Sequence, residues 1–400
     1  MRGVEELFKD VEIRGVATSL YNAKYDRKPI LYDTTLRDGE QTPGVSFNAE
    51  DKVEIALLLE ECGVEEIEAG FPAISKDEEE AVRAVSKAVS RSKVLCLCRA
   101  LKSDVDLALK CDVDGVIVFA PPSDIHLKWK LKISAESLLK CVSDVIEYAK
   151  SHEVFVQFTC EDATRTPLER LLKFYSSAIE HGADRVGVAD TVGCITPSGM
   201  KFLIGELSKS LSKPIAVHCH NDLGLATANT LTAYEAGAMA LSVSVNGLGE
   251  RCGNAPLEEV ALALYCLYGV DPGIDFKKLG KLSRRVAELS KLSPWPLKPV
   301  VGLHAFTHKS GIHVAAVLEN PFTYEAYSPR IVGRERVIKF GKHSGIKAIS
   351  YALRSAGLDL SSELAQEVLE EVKRLERVKG PLDLEDVREV ALKVLEVKGR

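Results

Sequence analysis

From about Lys28 to about Val270, short β-rich apolar runs alternate with longer stretches of helical spacing. The runs Ile30–Thr34, Glu66–Ala69, Val94–Cys98, Gly115–Phe119, Val154–Thr159, Arg185–Ala189, Ile215–Cys219 and Ala240–Val245 predict eight strands. Between them, amphipathic stretches such as Ala49–Cys62, Ser134–Ser151, Leu168–His181 and Asp222–Ala236 predict helices. In Glu54–Leu58 and Leu168–Leu172 the apolar residues recur at helical spacing. Gly63, Gly182 and Gly237 follow three of these stretches, where a left-handed cap residue is wanted. Eight such units over roughly 250 residues match a closed (β/α)₈ TIM barrel in size. A doubly wound open sheet shares the alternation, but no G-x-G-x-x-G follows the first strand, which weakens its dinucleotide-binding version. The expected class is α/β, as a barrel.

After Val270 the pattern breaks. Pro294, Pro296 and Pro299 cluster in Ser293–Val300, which predicts a linker or irregular crossover. Residues His304–Gly345 are rich in His, Gly, Pro and Tyr with little periodicity. Helical spacing returns in Leu364–Arg377 and in Asp383–Val397, the latter with an acidic first turn. The expected organisation is an N-terminal extension (1–27), a catalytic barrel (28–285), a linker and accessory subdomain contributing to the active site (286–345), and a helical C-terminal subdomain (346–400).

Composition narrows the function classes. The 400 residues carry a net charge of −6 without a long basic run, so nucleic acid and acidic membrane surfaces are not indicated as partners. No stretch approaches the ~20 apolar residues that span a bilayer. Met1–Tyr25 shows no signal-peptide core, and a cytoplasmic location is expected. The ten cysteines include no C-x-x-C pair and read as structural thiols rather than disulfides or a zinc-thiolate site.

Active groups in such barrels project from the C-terminal ends of the strands. The first strand runs into Asp33–Gln41, the seventh into His218–Asp222, and the eighth is followed by Asn246–Asn254. Strands one, seven and eight adjoin in a closed barrel, so these loops should meet. His218 and His220 lie two apart and face one side of a strand. With Asp38 they offer two imidazoles and a carboxylate to a divalent metal, Mg²⁺, Mn²⁺ or Zn²⁺. The blander alternative is a core histidine pair hydrogen-bonded to its neighbours. Arg37 could neutralise charge on a substrate oxygen or pair structurally with Glu40, Glu68 or Glu161. Glu161 should face the barrel mouth, where a carboxylate can handle a proton. His304, His308, His313, Tyr324 and His343 add polar chemistry beyond the barrel.

At these residues the chain resembles the isopropylmalate synthase and homocitrate synthase family. The resemblance runs from about Leu31 to about Ala356 and includes LYDTTLRDGEQTPGV, EDATRTP, HCHNDLGLATANTLTA, NGLGERCGNAPLEE and FTHKSGIHVAAVLENPFTYEAYSP. It implies an acyltransferase that condenses acetyl-CoA, as co-substrate, with a 2-oxo acid. It implies metal binding by Asp38, His218 and His220, with Asn254 as a further or water-mediated ligand. Arg37 and Thr191 would hold the substrate carboxylate and oxyanion, and Glu161, His313 and Tyr324 match residues implicated in proton handling. It also implies a homodimer in which the accessory region reaches the partner's barrel.

Two positions bear on the substrate. Lysine-pathway homocitrate synthases carry a His and an Arg that recognise the distal carboxylate of 2-oxoglutarate, where this chain has Leu97 and Gln157. Short archaeal homocitrate synthases resemble this chain more closely, in LCRALKSDVD and EDATRTP, which leaves Arg165 or Lys128 to meet that carboxylate. Homocitrate synthesis is the leading expectation, with 2-isopropylmalate or citramalate synthesis as alternatives. Two rivals of other classes remain: a metal-dependent hydroxyacyl-CoA or 4-hydroxy-2-oxo acid lyase, and a silent paralogue.

Overall fold

The computed structural model describes Val11 and residues 14–397. The first residues of the expected N-terminal extension therefore lie outside the described residues, as does much of the stretch searched for a signal core. Two compact units are present. One is Lys24–Pro294; the other joins the described part of residues 1–23 to the residues from Trp295 onward.

The first unit is a closed parallel barrel in sequence order. Its strands are β1 (Ile30–Asp33), β2 (Glu66–Glu68), β3 (Lys93–Arg99), β4 (Gly115–Ala120), β5 (Phe155–Cys160), β6 (Arg185–Asp190), β7 (Ile215–Cys219) and β8 (Ala240–Val243). Closure is direct: Ile30, Leu31, Tyr32 and Asp33 pair with Ala240, Leu241, Ser242 and Val243. The intervening helices are α1 (Ala49–Glu61), α2 (Lys76–Ala88), α3 (Lys102–Lys110), α4 (Ala135–Lys150), α5 (Leu168–Glu180), α6 (Pro197–Ser210), α7 (Ala226–Ala236) and α8 (Leu257–Ala263), and α9 (Phe276–Ser290) completes the unit. Capping chemistry starts several of them. Asn48 and Asp51 form a reciprocal capping box on α1, and Ser75, Ser134 and Thr196 accept backbone N–H bonds at the starts of α2, α4 and α6.

All eight expected strands are present, with ends shifted by a residue or two. The stretch read as one helix from Asp222 begins later, at Ala226. Asp222 is instead held by the Arg251 guanidinium, at 2.8 and 2.9 Å.

Alternation along the strands decides what faces the barrel axis. Deep in the barrel these positions are apolar, with Tyr32, Leu95, Ile117, Ala216 and Ala240 forming a buried cluster. One ion pair interrupts it. Arg185 donates to both Glu66 carboxylate oxygens at 3.2 and 2.5 Å, with both side chains at most 4% exposed. Its guanidinium also lies 5.4 Å from the Tyr32 ring and 5.0 Å from the Phe155 ring.

The second unit has a hydrophobic core of its own, formed by Phe340, Ile349, Val368, Val372, Leu382 and Val387 among others. Its elements are β9 (Thr307–His308) paired in parallel with β10 (Val337–Ile338), and helices α10 (Gly311–Glu319), α11 (Ile346–Ser355), α12 (Ser362–Lys379) and α13 (Leu384–Val397). The N-terminal segment joins this unit through Ala17 N–H to Ala326 O at 2.8 Å and Ser328 N–H to Gly15 O at 2.7 Å. Helix α10 lies in the stretch that showed no period. It has nine residues and is apolar on its exposed side too, with Ile312 77% exposed, so no amphipathic signal could emerge. The ten cysteines are all free thiols. Among the described residues no helix is long and apolar enough to cross a membrane.

Removing one partner of the barrel's internal ion pair strands a buried charge, which costs about 3–5 kcal/mol. Glu66→Ala is therefore expected to lower unfolding stability by that amount in urea titrations. A loss under about 1 kcal/mol would show that Arg185 finds another partner or water.

Candidate active site

The axis-facing column changes character toward the C-terminal ends of the strands. Leu97, Ile117, Phe119, Gln157, Thr159, Glu161, Ala189, Thr191, His218 and His220 follow the same alternation and line a cavity of about 320 Å³. Arg37 and Asp38 enter it from the turn after β1, Glu250 and Arg251 from the loop after β8.

The β1 turn is tight. The N–H groups of Arg37, Asp38 and Gly39 all reach Thr34 O, at 3.1, 2.9 and 3.0 Å. This places Asp38 beside β7 and the β8 loop. Asn254 Nδ2 donates to Asp38 Oδ2 at 2.6 Å and to Leu248 O at 3.0 Å. Glycine is required here, because a Cβ on Gly249 would stand 2.4 Å from Asn254 Nδ2 and 2.9 Å from Asp38 Oδ2. Gly253 has φ +85°, and its Cβ would meet Gly247 O at 2.0 Å.

His218 and His220 point the same way. His218 Nδ1 bonds Ser242 Oγ at 2.9 Å, and its Nε2 lies 3.2 Å from His220 Nε2 and 4.0 Å from Asp38 Oδ2. Two neutral imidazole nitrogens at that separation need a shared proton or a cation between them. Burial pushes the His218 pKa down to about 3 and also lowers that of His220, which keeps both rings in the neutral, ligating form at ordinary pH. For Asp38 burial acts upward, but Arg37, the two histidines and the Asn254 amide outweigh it and hold the carboxyl well below the usual range. The Asn254 Oδ1 atom is buried without a hydrogen-bond partner. Potential ligand atoms of Asp38, His218 and His220 all lie within 4.8 Å of one another. Two nitrogens, a carboxylate and an orphaned amide oxygen fit a divalent cation.

Arg37 sits against this cluster. Its Nε and Nη2 grip Glu68 Oε1 and Oε2 at 2.9 and 3.0 Å, and Nη1 reaches Asp38 Oδ1 at 2.7 Å. Thr34 Oγ1 steadies Glu68 at 2.6 Å. Three of the five guanidinium N–H groups are thus engaged, leaving one each on Nη1 and Nη2. Thr191 Oγ1 accepts from Asp162 N–H at 2.8 Å, which leaves its own proton to donate. Glu161 is gripped by Lys130 Nζ, 2.7 Å from both oxygens, with His126 Nδ1 at 3.5 Å.

The HMGL-like family model matches residues 28–286, well over half of the chain. The chain belongs to the HMGL-like family. A second model, described as homocitrate synthase post-HMGL domain-like, matches residues 300–380 of this HMGL-like chain. The chain is 50% identical to homocitrate synthase AksA of Methanopyrus kandleri, over 92% of this chain and 93% of that one. It is 47% identical to the probable 2-isopropylmalate synthase of Ignicoccus hospitalis, over 92% and 93%. Among solved structures, hydroxymethylglutaryl-CoA lyase of Pseudomonas aeruginosa aligns with a TM-score of 0.61 at 22% identity, covering 67% of this chain and 95% of that one. That likeness concerns the barrel fold alone.

Of the residues singled out in the sequence, Arg37, Asp38, Leu97, Gln157, Glu161, Thr191, His218 and His220 line this HMGL-like cavity, and Asn254 bonds Asp38. Gln157 is committed inward: its Oε1 accepts from Arg185 Nε at 2.5 Å and its Nε2 donates to Thr159 Oγ1 at 2.9 Å. Arg165 is not brought to the cavity lining; its Nε binds Asp162 Oδ1 at 2.7 Å. Lys128 is also outside the lining. In the second unit His313 and Tyr324 stack, with ring centroids 3.9 Å apart and planes 21° apart. His308 and Arg336 both hold Glu325, the residue next to Tyr324, at 3.0 and 2.5 Å.

Sequence reasoning missed two basic cavity residues, Lys130 and Arg251. Arg251 was visible in the GLGERCGN loop, but only coordinates show that it bridges Asp222 and Thr191 O. Lys130 lies in an aperiodic turn where an isolated lysine reads as solvated surface.

Divalent metal should stabilise the fold by about 2.7 kcal/mol at free metal about 100 times its Kd. Melting curves with and without Mn²⁺ check this in wild type and in His220→Ala. The variant is expected to fold, to lose the metal-dependent shift and to purify without stoichiometric metal. An undiminished shift in His220→Ala would place the metal elsewhere.

Proposed function

We propose that the chain is a cytoplasmic acyltransferase performing a Claisen-type condensation of acetyl-CoA with a 2-oxo acid, with 2-oxoglutarate as acceptor and homocitrate as product. The observation that carries the reading is the convergence of Asp38, His218, His220 and Arg37 in one cavity. It is supported by 46–50% identity to several archaeal proteins named homocitrate synthase AksA.

Asp38, His218, His220 and the Asn254 carbonyl oxygen would hold a divalent metal, Mg²⁺, Mn²⁺ or Zn²⁺. When bound, such an ion supplies Lewis-acid polarisation of the 2-oxo group. The remaining work falls to side chains. Thr191 Oγ donates to the substrate carboxylate. The two uncommitted N–H groups of Arg37 donate to the oxygen that gains charge as the new C–C bond forms, and Glu68 holds that guanidinium still. Glu161 Oε is the acceptor for the proton leaving the acetyl methyl group, oriented by Lys130. His313 and Tyr324, stacked as a pair, handle protons in the step that follows, in which water cleaves the C–S bond of the condensed acyl-CoA to give the free carboxylate and CoA thiol. We also propose a homodimer in which this pair serves the partner's barrel. Mixing inactive His220→Ala with inactive His313→Ala subunits, under exchange conditions, should then recover activity.

A second reading is 2-isopropylmalate synthesis. It is favoured by the relatives of that name at 44–48% identity and by the apolar wall of Phe71, Leu97, Ile117 and Phe119. Thiol release from acetyl-CoA, measured as kcat/KM across pyruvate, 2-oxoisovalerate, 2-oxoglutarate and longer 2-oxo diacids, separates these readings. The highest value is expected for a 2-oxo diacid. A preference for 2-oxoisovalerate selects the second reading, and no acceptor-dependent thiol release would reject both in favour of a lyase. Tyr324→Phe should lower kcat with little change in the 2-oxo acid KM; a change in KM alone would make Tyr324 a binding residue.

A further inference from the structure

Trp129 is 69% exposed, unusual for so large a ring. It lies on a wide helical turn, Leu127–Leu131, between β4 and α4. Leu127 is buried and anchors the turn, which ends at Lys132 in the left-handed region with φ 57°. Three lysines share this short segment. Lys130 points into the cavity and grips Glu161, tying the turn to the barrel mouth. Lys128 Nζ stands 4.9 Å from the Trp129 ring centroid, and Lys132 is exposed beyond it. Ile125 and Ile133, 47% and 41% exposed, extend the apolar surface on either side.

The cavity volume of about 320 Å³ is at the small end for ligand sites. It accommodates a small 2-oxo acid and an acetyl group, not a whole coenzyme. The remainder of an acyl-CoA must cross the rim. An exposed indole with one ammonium over its face and a second lysine three residues on suits a base carrying phosphates: the exposed ring surface stacks on the base and the lysines meet the anionic oxygens. The other exposed tryptophan, Trp295, belongs to the second unit. Of the other cavity cations, Arg251 is committed to Asp222 and Thr191 O, and Arg37 to Glu68 and Asp38.

We propose that the turn Lys128–Lys132 is the docking site for the phosphorylated adenosine end of the acyl-CoA substrate, with Trp129 stacking on the base and Lys128 and Lys132 binding its phosphates. This rests on the acyltransferase reading above for its substrate, but its test has a part independent of turnover.

Kinetics with acetyl-CoA are compared with those of S-acetyl-pantetheine, which lacks the nucleotide. Trp129→Ala should raise KM for acetyl-CoA about tenfold or more, with kcat unchanged and KM for S-acetyl-pantetheine unmoved. Lys128→Ala with Lys132→Ala should act in the same direction and weaken the dependence of KM on salt. Separately, adenosine 3′,5′-bisphosphate should quench the fluorescence of Trp129 in a Trp295→Phe background, saturably and less tightly at high salt. Equal effects of Trp129→Ala on both thioesters would overturn the proposal, as would absence of quenching. A changed oligomeric state with KM unmoved would also overturn it, by showing that a second copy covers the ring. Quenching without thiol release from any acceptor would leave the nucleotide site standing and reject the acyltransferase reading instead.

Discussion

Two imidazole nitrogens 3.2 Å apart, facing a carboxylate inside a buried cavity, impose the constraint around which the active end of the barrel is built. Left alone, that arrangement is costly, because lone pairs and negative charge converge away from water. Its neighbours are arranged to hold it. Ser242 fixes the direction of the His218 ring, Asn254 fixes Asp38, and Arg37 supplies the nearest compensating charge while Glu68 compensates Arg37. The loops obey the same geometry, since Gly249 leaves room for Asn254 and Gly253 lets the chain turn beside Gly247. A divalent cation held between them would resolve the electrostatic conflict at the centre.

Barrel closure makes this possible. The residues that meet come from positions 38, 218, 220 and 254, and only the pairing of β1 with β8 and of β8 with β7 brings them together. The alternation that packs Tyr32, Ile117 and Ala216 deep in the barrel is the alternation that raises Gln157, Thr159, Glu161, His218 and His220 toward its mouth. Core and site are thus two ends of one column of side chains.

The strands were legible because each is a short β-rich run bounded by a helix of different period. Adjacency of strands one, seven and eight followed from closure, which let Asp38 be assigned to the same place as His218 and His220. Three things were not legible. The start of α7 was misplaced because Asp222 is a good helix-start residue that forms an ion pair with Arg251 instead. Helix α10 was hidden because it is apolar on its exposed side as well. Arg165 and Lys128 were named as partners for a distal carboxylate because Leu97 and Gln157 offer it no charge, whereas Lys130 is the lysine that lines the cavity. Which lysine of a short turn points inward depends on a local backbone geometry that spacing does not encode.

The most direct test is anomalous diffraction from crystals grown with Mn²⁺ and 2-oxoglutarate. The account predicts one strong peak per barrel, bonded to His218 Nε2, His220 Nε2 and an Asp38 oxygen, with Asn254 Oδ1, directly or through water, and the 2-oxo acid's oxygens completing the shell and Arg37 beside them. A peak elsewhere, or none at saturating Mn²⁺ with the two rings still in contact, would contradict it.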